Sequence, residues 1–261
     1  MTDNQLDVKP EVRTYLDRIG YDGPCDNSLR TLELLQECHL HAVPYENLDI
    51  IHGIPLSLEI PKLYDKIVAR RRGGYCFELN ALFSWLLTEL GFKVTSLFAR
   101  FWRDVPESPP MRRHQILLVE AEGSLYVCDV GVGSVVPRWP IRLEERLEHV
   151  QGTETYQLER DADFGWVLCE SKNGEWRWIY SFTEEPQLPI DYIMASYWSE
   201  HAPESVFTKQ AIVAIRTKEG RNSMLGQELR VFTDEGVQVL TLASPEECSD
   251  AWRTYFGIVI S

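Results

Sequence analysis

One cysteine of this chain stands where a nucleophile could form, between a pair of glycines and an apolar helix. Residues 71–80 read RRGGYCFELN, which places Cys76 two residues after Gly74. From Phe77 onward, apolar residues recur at the spacing of a helix face, and Gly91 ends the pattern. Unpaired N–H groups and the helix dipole at that N-terminus favour a thiolate, which a nucleophile needs. Taken alone, a cysteine among apolar residues is more often a small buried side chain.

A base and a carboxylate are available in a predicted β-hairpin. Residues 114–119, HQILLV, and 125–130, LYVCDV, are typical of two strands joined by a turn at 121–123. With Ala121 and Glu122 as a two-residue loop, His114 and Asp129 become direct cross-strand partners, with Cβ atoms about 5 Å apart. A register shift of two would leave them diagonal neighbours, and a shift of one would separate them.

Such a pair has a chemical use, because a carboxylate on one imidazole nitrogen fixes the tautomer and stabilises the imidazolium. A polar pair on the surface of a sheet is an equally good interpretation of the hairpin alone. The sequence does not bring Cys76 near His114, since only the fold can join positions so far apart in the chain.

Composition limits what the chain can bind. It has 261 residues and a net charge of −14 at pH 7. This acidic excess disfavours nucleic acids and anionic membranes as partners, because both attract cationic proteins. No apolar run reaches the length of a membrane span, and the N-terminus lacks the features of a signal peptide. Six cysteines without a disulfide pattern fit a reducing compartment, so we expect a cytoplasmic protein.

No metal site is expected. Cys38, His39 and His41 look faintly like metal ligands, but they lack a second ligand pair at the spacing of a zinc finger. Placement within a helix is the better interpretation of this segment.

The predicted elements divide into helices followed by strands, which indicates the α+β class. A helix is expected at 29–40, and residues 57–61 are expected to precede a short helix that runs through Ala69. A last helix is expected to begin after Ser244. A proline-rich loop at 104–110 could border the active site. Strands are expected at 94–102, in several short runs between 154 and 182, and at 207–216 and 228–242.

Over nearly its whole length the chain resembles the arylamine N-acetyltransferases. Residues 43–48, VPYENL, are similar to the family's Pro-Phe-Glu-Asn-Leu motif, and residues 72–78, RGGYCFE, match its nucleophile motif. His114 begins a strand similar to His-x-x-Leu-x-Val, and residues 129–133, DVGVG, resemble Asp-Val-Gly-Phe-Gly. Several motifs in the same order are far more specific than any one of them.

The resemblance implies an α+β fold with a cysteine-protease-like catalytic core in three regions. Residues 1–91 would form an N-terminal helical bundle that carries the nucleophilic cysteine. Residues 92–198 would form a central antiparallel β-barrel that carries the histidine and the aspartate, and residues 199–261 would form a C-terminal α/β lid.

The resemblance also implies an enzyme with a Cys76–His114–Asp129 triad. Acetyl-CoA would be its co-substrate, and the acetyl group would pass through an acetyl-cysteine to an arylamine, arylhydrazine or N-hydroxyarylamine, with ping-pong kinetics. Its partners would be coenzyme A and a small aromatic amine or hydrazine, as in xenobiotic metabolism. No metal is implied.

Acceptor contacts follow from the same motifs. Tyr45 and Val132 stand where the family usually or often has Phe, so the pocket would gain a hydroxyl and lose an aromatic wall. Phe207 and Trp102 could stack on an aromatic acceptor. Arg113 replaces the Thr that is often found before the histidine.

Coenzyme A is anionic, so local cations or backbone N–H groups must offset the acidic protein around it. The candidates are the loop residues Gly131, Gly133 and Ser134 and the arginines at 70–72 and 112–113. Solvated arginines paired with acidic side chains are the ordinary interpretation of both clusters.

Three other functions stay open. A cysteine hydrolase, similar to a protease or a transglutaminase, would use the same triad with water as the acceptor. An amide synthase would transfer a larger acyl chain, which the small Val132 could accommodate. A non-catalytic binding module would keep the fold and leave Cys76 unacylated.

Overall fold

The computed structural model describes residues 8–102, 108–133 and 135–260. Within these ranges the chain forms helices α1 Pro10–Ile19, α2 Leu29–Ala42, α3 Leu48–Ile51, α4 Ile60–Tyr64, α5 Cys76–Glu89, α6 Tyr192–His201 and α7 Pro245–Phe256. A π-helical turn, Asp65–Ala69, continues α4, and short 3₁₀ turns lie at Pro189–Asp191 and Val206–Thr208. Residues 104–107 of the predicted proline-rich loop lie outside the described residues.

The strands of the described chain are β1 Tyr45–Glu46, β2 Lys93–Phe101, β3 Arg112–Ala121, β4 Ser124–Cys128, β5 Ile141–Arg142, β6 His149–Gln151, β7 Glu154–Asp161, β8 Gly165–Lys172, β9 Glu175–Phe182, β10 Ile212–Arg216, β11 Arg221–Leu225, β12 Glu228–Thr233 and β13 Gly236–Thr241. They form two antiparallel sheets. The larger has the order β5-β4-β3-β2-β9-β8-β7-β6, and the smaller has the order β1-β10-β11-β12-β13.

The eight-stranded sheet curls into a nearly closed barrel. The segment after β5 returns to β7, where the Arg146 N–H donates to the Leu158 carbonyl at 2.7 Å. This contact satisfies backbone groups that an open sheet would leave exposed at its edge. The barrel and the helices that precede it confirm the α+β class predicted from the sequence.

Helices α2 and α7 begin at the positions predicted from their N-terminal capping residues. The Ser28 hydroxyl accepts the Thr31 N–H at 3.3 Å, so α2 starts at Leu29. Ser244 caps α7 in the same way through the Glu247 N–H, at 3.2 Å. Each side chain satisfies a donor that the first helical turn would leave unpaired.

The register predicted for the β3–β4 hairpin is wrong by two residues. Ala121 pairs with Ser124, so the two-residue loop is Glu122–Gly123 and not Ala121–Glu122. Both loop residues have positive φ, 51° and 74°, as a type I′ turn requires. Because the shift is even, His114 and Asp129 keep the same face of the sheet, and Asp129 follows the end of β4.

The smaller sheet joins distant parts of the chain. Tyr45 in β1 pairs with Ala214 in β10, so the N-terminal region contributes one edge of a sheet that otherwise comes from residues after 211. The strand predicted at 207–216 begins only at Ile212, because the preceding residues form the 3₁₀ turn. The predicted boundary at 198/199 lies within α6, and the three-region division stays a prediction.

Helix α5 lies at the centre of the main core, packed against α4, β2 and β3. Its leucines and phenylalanines are fully buried, and Ala81 and Trp85 are partly buried, in accord with a helix that is hydrophobic around most of its circumference. It is 14 residues long, and in the described chain no helix is both long and apolar enough to span a membrane.

Candidate active site

Cys76 is the first residue of α5, and a tight turn fixes the direction in which it enters the helix. A Cβ on Gly73 would collide with the Pro44 carbonyl oxygen, so only glycine lets the two backbones approach here. The Tyr75 N–H then donates to the Glu78 carboxylate at 3.1 Å, which closes the first turn of the helix. Cys76 is 4 % exposed.

A buried charge network supports this helix start. The Lys66 ammonium contacts Glu78 at 2.7 Å and Asp49 at 2.8 Å, and the Arg72 guanidinium contacts Glu46 and Asp49 at 2.9 Å. Burial opposes the charge on Lys66, but the neighbouring carboxylates raise its pKa above the ordinary value. Arg72 is thus paired with carboxylates inside the protein, which is the ordinary interpretation given above for its cluster.

His114 and Asp129 meet at the other wall of the site. The His114 Nε2 and the Asp129 Oδ2 are 2.7 Å apart, and both side chains are buried. Cys76 lines the same cavity as His114 and interacts with its ring in a way that favours the charged imidazolium. Burial disfavours the imidazolium, but Asp129 and Cys76 outweigh this cost and raise the pKa of His114 from 6.5 to about 10.

Asn80 is a site residue that the sequence interpretation missed. Its Nδ2 donates to Asp129 Oδ1 at 2.9 Å and to the Gln115 carbonyl at 2.7 Å, and its Oδ1 accepts the Val130 N–H at 3.1 Å. The signal was available, because residues four apart share one face of a helix and Asn80 is four residues after Cys76. Asn80 therefore joins the nucleophile's helix to the strands that hold the other two residues.

Gly131 closes the site from the side of the loop after β4. Its N–H donates to Asp129 Oδ1 at 2.7 Å, and a Cβ there would lie 2.8 Å from the Cys76 Cα. Gly133, with φ +73°, packs closely against Tyr45 and Ala214. Ser134 lies outside the described residues. A role for this loop in holding coenzyme A stays a prediction.

A cavity of about 190 Å³ opens onto the sulfur and the imidazole. Its walls include predicted site residues: Tyr45, Arg113, Gly131, Val132 and Phe207. Phe101, Pro110, Met111 and Val206 complete the lining and had not been predicted. Burial, followed by the proximity of Cys76, raises the pKa of the Tyr45 hydroxyl.

Trp102 does not line this cavity. Its ring packs against Phe164 and Trp178, and its Nε1 donates to the Ser181 hydroxyl at 2.7 Å. The neighbouring Phe101 contacts the His114 ring instead, with centroids 5.8 Å apart. Successive side chains of an extended segment point to opposite sides. Phe101 therefore faces the active site, and the predicted residue Trp102 faces away from it.

The remaining arginines of the two clusters differ in their partners. Arg70 pairs with Asp65 at 2.8 Å on the surface. Arg112 lies 3.5 Å from Glu185 and donates to the Thr183 hydroxyl. Arg113 instead places its guanidinium over the rings of Trp198 and Phe207.

Across the described ranges, no group of three or more His, Cys, Asp or Glu is arranged to hold a metal ion. His39 is buried within α2 beside the rings of Tyr15 and Phe83, and burial lowers its pKa to about 3. The six cysteines are free thiols.

Known proteins are similar to this chain in sequence and in architecture. The sequence pattern of a family described as N-acetyltransferase matches residues 28–261. The arylamine N-acetyltransferase of Mycobacterium tuberculosis strain H37Rv is 36% identical over 256 residues, which cover 96% of this chain and 90% of the relative. The arylamine N-acetyltransferase / N-hydroxyarylamine O-acetyltransferase of Salmonella typhimurium is 34% identical over 197 residues, which cover 76% of this chain and 69% of the relative.

A solved structure agrees as well. The arylamine N-acetyltransferase of Mycobacterium marinum in complex with CoA superposes with a TM-score of 0.88 at 34% identity, covering 95% of this chain and 92% of that one.

Proposed function

The chain belongs to the arylamine N-acetyltransferase family, whose members transfer acetyl groups from acetyl-CoA, and from this premise we propose that Cys76, His114 and Asp129 perform the transfer. The observation that carries the proposal is that His114 is 2.7 Å from the Asp129 carboxylate and lines one cavity with Cys76, which favours the charged form of the ring. This is the arrangement in which a histidine activates a nucleophile while a carboxylate holds the ring.

The first half-reaction loads the enzyme. His114 holds the proton of Cys76, so sulfur attacks the thioester carbonyl of acetyl-CoA as a thiolate. A bond forms between that sulfur and the acetyl carbon, the bond from carbon to the CoA sulfur breaks, and the leaving thiolate takes the proton from the imidazolium. The products are acetyl-Cys76, free CoA and a neutral His114.

The second half-reaction unloads it. The acceptor nitrogen, or the oxygen of an N-hydroxyarylamine, attacks the acetyl carbon and gives its proton to His114. The bond between that carbon and the Cys76 sulfur breaks, which restores the thiolate and the imidazolium. Because CoA leaves before the acceptor reacts, the kinetics are ping-pong.

The size and lining of the cavity support small aromatic acceptors. Its volume of about 190 Å³ lies below the roughly 300–1,000 Å³ of drug-sized sites. Its aromatic lining, with Tyr45, Phe101 and Phe207, suits one flat ring. We therefore assign small arylamines, arylhydrazines and N-hydroxyarylamines as acceptors.

The decisive experiment is intact mass spectrometry after incubation with acetyl-CoA and no amine. The wild-type mass should rise by one acetyl group, and added aniline should return it to the starting value. Cys76→Ala should remain unlabelled, whereas the control Cys38→Ala, a change at a half-buried thiol in α2, should label like wild type.

Three results would contradict the proposal. Acetylation that persists in Cys76→Ala would place the acetyl group elsewhere. Loss of the label to water at the same rate with and without aniline would indicate a hydrolase. A wild-type protein that never labels would indicate a binding module.

A further inference from the structure

Arg113 places a cation beside the nucleophile. It directly precedes His114 on β3, its carbonyl oxygen is 3.8 Å from the Cys76 sulfur, and its side chain lines the catalytic cavity. Phe207, which lines the same cavity, lies under its guanidinium.

Aromatic rings hold this guanidinium in place. The Arg113 Cζ lies 5.3 Å from the centroid of the Trp198 ring and 5.9 Å from that of Phe207. A guanidinium packed on aromatic faces keeps its N–H groups in its own plane, where they can meet a planar acid in a bidentate way. The rings therefore fix the position of Arg113 without satisfying its donors.

An acidic partner is lacking among the residues that the structure describes, where no carboxylate oxygen lies within 4.0 Å of the Arg113 guanidinium. The adjacent Arg112 shows the contrast, because it pairs with Glu185. The chain has 40 acidic residues against 26 basic ones, so a cation that finds no acid nearby stands out.

The charge of Arg113 also acts within the cavity. It lowers the pKa of the Tyr45 hydroxyl, opposing the upward effects of burial and of Cys76. The lining residues Phe101, Val132 and Phe207 are apolar. In the acetyl-enzyme, where His114 is neutral, an acceptor anion in this cavity would therefore meet Arg113 as its cation.

We propose that Arg113 selects acceptors that carry an acidic group on the aromatic ring, so that this enzyme prefers aminobenzoate-like substrates to neutral arylamines of the same size. This inference rests on the proposed function, because it names the acceptor class of the same site. An acceptor carboxylate would form charge-assisted hydrogen bonds with the guanidinium while the amine faces acetyl-Cys76.

Coenzyme A offers the same chemistry through its phosphates. The ping-pong scheme separates the two sources, because acetyl-CoA reacts only in the first half-reaction and the acceptor only in the second. An arginine that serves the acceptor affects discharge of the acetyl-enzyme, and one that serves phosphate affects its formation.

The test compares 4-aminobenzoate with 4-aminobenzamide, which have the same shape but differ in charge. Discharge of pre-formed acetyl-enzyme is followed by intact mass for wild type, Arg113→Gln, Arg113→Lys and the control Arg112→Gln. Dividing each variant's ratio of kcat/KM for the two acceptors by the wild-type ratio removes their intrinsic difference in reactivity.

We expect the benzoate-to-benzamide ratio to fall about tenfold or more in Arg113→Gln, because a charge-assisted hydrogen bond is lost. The ratio for Arg113→Lys should lie between those of wild type and Arg113→Gln, because lysine keeps the charge but cannot form two parallel hydrogen bonds to a carboxylate. Arg112→Gln should keep the wild-type ratio. The ratio is read on pre-formed acetyl-enzyme, so a change in the rate of acetyl-enzyme formation in Arg113→Gln does not enter it.

An unchanged ratio in Arg113→Gln overturns the inference. A slower formation of acetyl-enzyme with an unchanged ratio does so as well, and assigns Arg113 to coenzyme A. Both results leave the acetyl-transfer function intact, because they require an enzyme that still becomes acetylated. Failure of the function itself would show as a wild-type protein that does not acetylate.

Discussion

The charge state of the site depends on the two neighbours of one imidazole ring. Asp129 binds the Nε2 of His114, and Cys76, which lines the same cavity, also favours the charged form of the ring. Asn80 and the Gly131 N–H hold Asp129 in turn through its second oxygen. Both oxygens of the Asp129 carboxylate are therefore hydrogen-bonded, which restricts its rotation. The His114 ring that it binds is thus oriented before any substrate arrives.

Asp129→Asn should weaken the ionisation of His114, because Asp129 is a major cause of its raised pKa. At neutral pH we expect alkylation of Cys76 by iodoacetamide to slow by about tenfold or more, since each pKa unit is a factor of ten. The rate should be followed by mass spectrometry between pH 6 and 10. An unchanged rate profile would contradict this role for Asp129.

The same variant has a stability consequence with a definite sign. Because folding raises the pKa of His114 from 6.5 to about 10, its contribution to stability is complete below 6.5 and is lost as pH rises through 10. The difference in unfolding free energy between wild type and Asp129→Asn should thus shrink over this window in urea titrations. A difference in unfolding free energy that increased with pH would contradict a stabilising role for the charged His114.

At the scale of elements, the start of α5 is held by buried charges. Glu78 caps the helix through the Tyr75 N–H and also pairs with Lys66, so one carboxylate serves both the backbone and the ion network. The same network reaches β1 through Glu46, which binds Arg72 and the Gly73 N–H. It thereby connects the strand that carries Tyr45 to the turn that delivers Cys76.

Lys66→Met should destabilise the fold by about 3–5 kcal/mol, because it leaves Glu78 and Asp49 buried without their cation. The matched control is Lys62→Met, whose partner Glu59 is on the surface and whose pair contributes about 0–1 kcal/mol. Urea unfolding monitored by circular dichroism measures both. Equal small losses in the two variants would show that the buried network adds little.

At the scale of the whole molecule, the site combines segments that are far apart in sequence. The β-barrel supplies His114, α5 supplies Cys76, and β1 with the segment before β10 supplies Tyr45 and Phe207. The molecule around them carries a net charge of −14. Pairing of Arg70, Arg72 and Arg112 with acids leaves few of the predicted cations to offset that field.

Acetyl-CoA should therefore approach against a repulsive field. Added salt screens that repulsion, with a Debye length of about 10 Å at 0.1 M, so the KM for acetyl-CoA should fall as ionic strength rises from low values. The measurement is the rate of acetyl-enzyme formation against acetyl-CoA concentration at several concentrations of NaCl. A KM that rises with salt would instead reveal a local cluster of cations that attracts the phosphates.

Local chemistry and chain order were enough to predict much of this protein. The turn and apolar spacing around Cys76 predicted a helix that begins there, and Ser28 and Ser244 predicted two helix starts through their caps. Alternation along the hairpin predicted that His114 and Asp129 share a face. These features depend on neighbours within a few residues, so the sequence contains the physical cause of each.

Tertiary structure alone decided what depends on distance through space. Asn80 was missed because its partners on β3 and after β4 are chosen by packing, and Trp102 was misplaced because the side of the chain that faces the cavity is set by the fold. The meeting of Cys76 with His114 has the same origin. Contacts between distant residues require chain entropy to be overcome by burial of the whole core, and no short stretch of sequence determines that balance.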